Sequence, residues 1–201
     1  MLRSLLVAGL ALVAGIALVA APRPASAQAA TLEEPLAGGV HAGAGASMWL
    51  GAAGDSAHLG AALGGFVTYP LTAALAVQGE LSLVDTGADF EDAAGADRRE
   101  ALLYLDLPAL ARYDLPLTEL ASLYGVAGPG LALLIDSKLT PRRELRPVDL
   151  TATAGIGIDL YTPRHHVSFD LRGRLGLLDA VDDERRTARS LLFLVLAGIT
   201  L

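Results

Sequence analysis

The chain contains no cysteine and one lysine, Lys138, in 201 residues, and only 5% of its residues are aromatic. The lack of cysteine excludes a disulfide framework and any thiolate metal site. There is no excess of basic charge either: 15 Lys and Arg stand against 22 Asp and Glu. That balance argues against a general nucleic-acid binder. After Ala27 no continuous apolar run approaches the roughly 18 residues that a membrane-spanning helix requires. Yet mean hydropathy is +0.48, high for a protein that lives in water. The apolar residues are therefore numerous but dispersed.

The one long apolar run is N-terminal. Arg3 follows a free amino terminus, Leu5 to Ala21 is apolar throughout, and Pro22 and Pro24 break the run before Ala25-Ser26-Ala27. A positive start, an apolar stretch and a small-x-small triplet predict a cleavable signal peptide over residues 1–27. An uncleaved anchor is the alternative, disfavoured because the run is rich in Ala and Gly. Arg3 and Arg23 leave with the signal, so the mature chain holds 13 basic and 22 acidic residues.

The mature chain reads with a period of two. From Val148 to Tyr161 the even positions are Val148, Leu150, Ala152, Ala154, Ile156, Ile158 and Leu160. The odd positions are Asp149, Thr151, Thr153, Gly155, Gly157, Asp159 and Tyr161. This is strand periodicity, not helical periodicity. Val167, Phe169, Leu171 and Leu175 oppose Ser168, Asp170, Arg172 and Arg174 in the next segment. Weaker alternations cover Gly39–Leu50, Leu59–Tyr69, Leu75–Leu83, Ala101–Tyr113 and Arg189–Leu201. Glu119–Asp136 is a further segment, in which Gly128-Pro129-Gly130 predicts a bulge or irregular pairing. That makes eight strands.

Connection lengths alternate. Pro70-Leu71-Thr72, Asp114 to Thr118 and Thr162-Pro163-Arg164 are short, whereas Asp85 to Arg99, Ser137 to Pro147 and Asp179 to Ala188 are long and charged. Short turns on one rim and long loops on the other are the pattern of a bacterial outer-membrane barrel, with the short rim and both termini in the periplasm. Tyr69 and Tyr113 precede short turns, where an interfacial girdle belongs. Tyr161 does too, but its parity turns it inward. The expected fold is thus all-β: an eight-stranded antiparallel up-and-down transmembrane β-barrel over 39–201, after a short periplasmic segment at 28–38.

A soluble lipocalin-like barrel also alternates, with its apolar face inside. Two features favour lipid on the apolar side. The polar face is rich in glycine and free of lysine, which suits a cramped interior better than a water-facing wall. It also carries charges of both signs: Glu80, Asp106, Asp149, Asp159 and Asp170 against Arg112, Arg172 and Arg174. Enclosed charges must satisfy one another, so these eight are expected to form a lumen network that plugs the barrel.

The signal, the eight alternating segments and the C-terminal Phe193, Val195, Ala197, Ile199 and Leu201 resemble small outer-membrane barrels of the OmpA/OmpX type. Leu103 to Pro108, followed by Tyr113 and by Ala127-Gly128-Pro129-Gly130, looks similar to the PorT-like outer-membrane barrels. The resemblance implies an outer-membrane location and insertion by the barrel-assembly machinery. Leu201 stands last where such families usually end in an aromatic.

Catalytic and metal chemistry find little support. His166, Ser168 and Asp170 share one face, and a His-x-Ser pair resembles that of lipid A deacylase barrels. Same-face neighbours on a strand lie about 7 Å apart, too far for direct proton relay. His165 and His166 are adjacent and point to opposite faces. Asp85, Asp89, Glu91, Asp92 and Asp97 lack a calcium-loop pattern. Arg142, Arg143, Arg146, Arg185 and Arg186 fall in long loops, where solvated charge is the first reading and contact with lipopolysaccharide phosphates the second. The expectation is a monomeric barrel with a structural, adhesive or surface-interaction role, without catalysis, metal or cofactor. Its expected partners are outer-membrane lipids and lipopolysaccharide. A lipid-modifying enzyme, a narrow channel and a soluble ligand carrier are the alternatives.

Overall fold

The computed structural model describes residues 36–50, 56–91, 97–138, 147–162, 165–178 and 189–201. The expected signal peptide and residues 28–35 of the expected segment 28–38 lie outside these residues, as do Asp92 and the loop arginines Arg142, Arg143, Arg146, Arg185 and Arg186.

The described residues form eight strands: β1 (Ala37–Leu50), β2 (Ser56–Pro70), β3 (Leu75–Glu91), β4 (Asp97–Thr118), β5 (Ala121–Lys138), β6 (Val148–Tyr161), β7 (His166–Gly176) and β8 (Arg189–Thr200). Each pairs antiparallel with its sequence neighbours, and β1 pairs with β8, which closes the barrel. Closure removes the free edges that hydrocarbon cannot hydrogen-bond.

The period of two decides what each side meets. On β6 and β7 the apolar set faces outward, with Ile156 68% and Phe169 47% exposed. Asp149, Asp159, Asp170, Arg172 and Arg174 turn to the axis and are buried. Tyr69 and Tyr113 are exposed near the short turns. Tyr161 points in, its hydroxyl 2.8 Å from the Ser122 hydroxyl.

The lumen is not polar throughout. β8 is apolar on both faces: Phe193 and Val195 are exposed, whereas Leu192, Leu194 and Leu196 pack inside against Ala62 and Val84. An all-polar inner face holds for β6 and not for β8.

Several expected boundaries move. Most of the loop placed at Asp85 to Arg99 is strand, because β3 and β4 stay paired up to Glu91↔Asp97. An antiparallel hairpin satisfies its own backbone, so it continues past the apolar belt at no hydrogen-bonding cost. The joint placed at Asp114 to Thr118 is likewise the end of β4, and the chain reverses at Glu119-Leu120. In the β2–β3 turn, Leu71 and Thr72 donate backbone N–H bonds to the Leu75 carbonyl, at 2.8 and 2.9 Å.

The irregularity expected at Gly128-Pro129-Gly130 is a lapse in pairing and not a bulge. β4–β5 pairing lapses between Pro108↔Gly130 and Ala111↔Ala127, but the register is the same on both sides. Pro129 pairs normally with Ala152 of β6. β3–β4 lapses similarly between Gly79↔Ala109 and Ser82↔Asp106, around Pro108. Proline has no N–H to give the ladder. The true register shifts lie at Leu103/Tyr104, Pro116/Thr118 and Ala57/Ala61.

Candidate functional site in the barrel lumen

Alternate residues of β3, β4, β6 and β7 carry the eight expected lumen charges, and the fold gathers them into three groups along the axis. Nearest the short turns, Arg112 donates from Nη2 to Asp114 Oδ1 at 2.7 Å and from Nε to both Asp114 oxygens at 3.0 and 3.1 Å. Its Nη2 also pairs with Asp159. The guanidinium lies 3.9 Å from the centroid of the Tyr124 ring, a cation–π arrangement.

The middle group spans the barrel. Arg172 donates from Nη1 to both Glu80 oxygens at 2.7 and 2.6 Å. Its Nε and Nη2 take the two oxygens of Asp170 at 3.0 and 2.8 Å. Tyr124 donates its hydroxyl to Asp170 at 3.0 Å. A Cβ on Gly157 would overlap the Tyr124 ring, so only glycine leaves room for that side chain. Gln78 joins the two groups: its Nε2 donates to Glu80 at 2.5 Å and its Oε1 accepts from Arg112 at 3.4 Å.

Towards the long loops, Arg174 donates from Nε to Asp106 at 3.2 Å, and its guanidinium lies 5.6 Å from the Tyr104 centroid. Asp149 is buried there as well, but accepts the Leu178 backbone N–H at 3.1 Å. Of the expected eight, then, Glu80, Asp170 and Arg172 form one cluster. Arg112 and Asp159 belong to a second, and Asp106 and Arg174 to a third, with Asp149 beside it.

Sequence reasoning missed Asp114, which it assigned to a turn, and Tyr124; Gln78 and Tyr104 share the polar face of Glu80 and Asp106 in the sequence, and the structure adds them to the network. Tyr124 carried a usable signal, since it lies in phase with the inward glycines of its strand. His41 is a further lumen residue, its Nε2 2.9 Å from Ser82 Oγ and its ring stacked on Phe66.

The arrangement stabilises charge inside the barrel. Each guanidinium meets carboxylates from another strand, which offsets the desolvation that burial imposes. Both Asp170 oxygens are engaged, by Arg172 and Tyr124. No group of three or more metal-ligating side chains occurs among the described residues.

Solved structures share this architecture. OprG of Pseudomonas aeruginosa superposes with a TM-score of 0.51 at 14% identity, over 83% of this chain and 94% of that one. Neisserial surface protein A superposes with a TM-score of 0.56 at 13% identity, over 83% and 99%. At such identities the likeness is one of fold. None of the curated protein sequences matches significantly. Residues 26–182 match the outer membrane protein beta-barrel domain family, which takes in most of the barrel just described. The chain belongs to that family, and its place is the outer membrane.

Proposed function

We propose that this protein is a sealed, monomeric outer-membrane barrel that acts as a structural or adhesive surface element, not as a channel or an enzyme. The observation that carries the reading is the Glu80–Arg172–Asp170 cluster, which ties β3 to β7 across the lumen with Arg172 only 5% exposed. An ion crossing the barrel has to separate these partners in a low-dielectric enclosure, where the attraction is strongest.

In this reading residues 1–27 are removed as a signal peptide, and both termini and the short turns face the periplasm. The long loops face outward. Arg142, Arg143, Arg146, Arg185 and Arg186 then meet the phosphates of lipopolysaccharide, for which a guanidinium offers bidentate bonds. Outer-membrane lipids surround the apolar belt. The barrel-assembly machinery reads the last strand during insertion. No cofactor is needed.

Planar-bilayer recording with the purified mature protein tests the proposal. Absence of discrete conductance steps is the expected result. Steps of constant size that change when Arg172 is replaced by Gln would establish a channel instead.

A further inference from the structure

Above the Glu80–Arg172 cluster the lumen changes character. Arg174 is 2% exposed. Its Nε donates to Asp106, while Nη1 and Nη2 find no hydrogen-bond partner among the described residues. The same is true of Asp106 Oδ1, Thr151 Oγ1, Thr153 Oγ1, Ser190 Oγ and Trp49 Nε1. These atoms are neighbours through the pairing. Thr153 is the register partner of Arg174, Thr151 of Gly176, and Ser190 of Trp49. Inward glycines let these side chains lie against the neighbouring strands. A Cβ on Gly176 would come within 2.5 Å of both Ser190 Oγ and Asp149 Oδ2, and one on Gly130 would overlap Thr151 Oγ1. Trp49, Leu102, Tyr104 and Ala132 pack as an apolar cap on the loop side.

Leaving a buried polar atom without a partner costs about 1–3 kcal/mol, and more for a charged group. Seven such atoms from five strands in one region call for a guest. Its charge is limited from both sides. The two open guanidinium N–H₂ groups repel a cation, and Asp106 and Asp149 repel an anion. A neutral molecule with both donors and acceptors suits every atom: acceptors for Arg174 and Trp49 Nε1, a donor for Asp106, and either for the three hydroxyls.

We propose that the loop-side half of the lumen is a blind-ended pocket for a small, neutral hydrogen-bonding guest, either water or a solute bearing hydroxyl or amide groups. Its floor is the Glu80–Arg172 cluster and its cap is Trp49. This half is hydrated, and the turn-side half is locked by ion pairs.

The test uses the whole mature protein folded in detergent, with folding verified by heat-modifiable gel migration. Replacing Thr151 and Thr153 together by Val keeps their shape and removes two hydroxyls. If the hydroxyls bind a guest, the unfolding midpoint falls. If they are unsatisfied, the midpoint rises or stays, and the proposal fails. Trp49, the only tryptophan of the chain, reports on the guest. Acrylamide, a neutral amide, is expected to quench its emission several-fold more strongly than iodide or caesium. Ionic quenching as strong as that by acrylamide overturns the proposal. Exclusion of all three quenchers, together with a lower midpoint for the valine pair, assigns the guest to water alone.

Discussion

Arg172 on β7 holds both carboxylate oxygens of Glu80 on β3, at 2.7 and 2.6 Å, across 92 residues of sequence and the full width of the lumen. The relationship is asymmetric, because Arg172 also holds Asp170 whereas Glu80, among the described residues, is bonded otherwise only by Gln78. Removing the arginine therefore leaves two buried carboxylates facing one another. Removing the glutamate charge leaves Arg172 still paired. Breaking a buried ion pair costs about 3–5 kcal/mol. Arg172→Met is expected to reach that range in urea unfolding from lipid vesicles, and Glu80→Gln to cost clearly less. The opposite order would mean that Asp170 gains nothing from Arg172.

Tyr124 is placed to stabilise two groups at once, stacking on Arg112 and donating to Asp170. Tyr124→Phe removes only the second contact, a hydrogen bond to a charged group worth about 1.5–3 kcal/mol. Gly157→Val should cost more, since the new side chain collides with the ring and removes both contacts. Comparing the two unfolding midpoints checks this. Equal losses would mean that the ring adds nothing beyond its hydroxyl.

Why some of this was legible in sequence and some was not has a physical basis. β6 alternates without a fault from Val148 to Tyr161, so both its faces are readable, and Asp149 and Asp159 are buried on the inner one. β8 runs Leu191 to Leu196 apolar at both parities, which hides the inner leucine cluster of Leu192, Leu194 and Leu196. Asp114 falls in the short joint expected at Asp114 to Thr118. It faces the lumen because the β4–β5 hairpin extends further. Partner choice was out of reach throughout. Whether Arg112 meets Asp106 or Asp159 depends on how the registers accumulate around the closed barrel, and alternation along a single strand does not contain that information.

The apolar belt makes a prediction that depends on depth. Ile156 is outward in the middle of β6, and Leu120 is outward at the tip of the β4–β5 turn. An arginine facing lipid costs about 2–4 kcal/mol at the bilayer midplane and about 0–1 near the interface. Ile156→Arg is expected to lower the folded fraction in vesicles sharply, and Leu120→Arg to leave it nearly unchanged. Equal tolerance of both variants would place water, not acyl chains, against Ile156.

The two prolines beside Ala109 mark where the wall itself is weakest. Pro108 interrupts the ladder to β3 and Pro129 interrupts the ladder to β5, so β4 loses pairing to β3 at residues 107–108 and to β5 at residues 109–110. Because the register does not shift across either lapse, what is missing is a donor and not alignment. Pro129→Ala supplies an N–H opposite the Ala109 carbonyl. In hydrocarbon, water cannot compete for that carbonyl, so the new bond is expected to add about 0.5–1.5 kcal/mol. Amide exchange should slow at Leu110 and Ala111 at the same time, and stay the same on β1 and β8, far from the change. A stability gain without local slowing would trace to reduced strain in β5. Loss of stability would show that the proline ring packs better than the hydrogen bond it replaces.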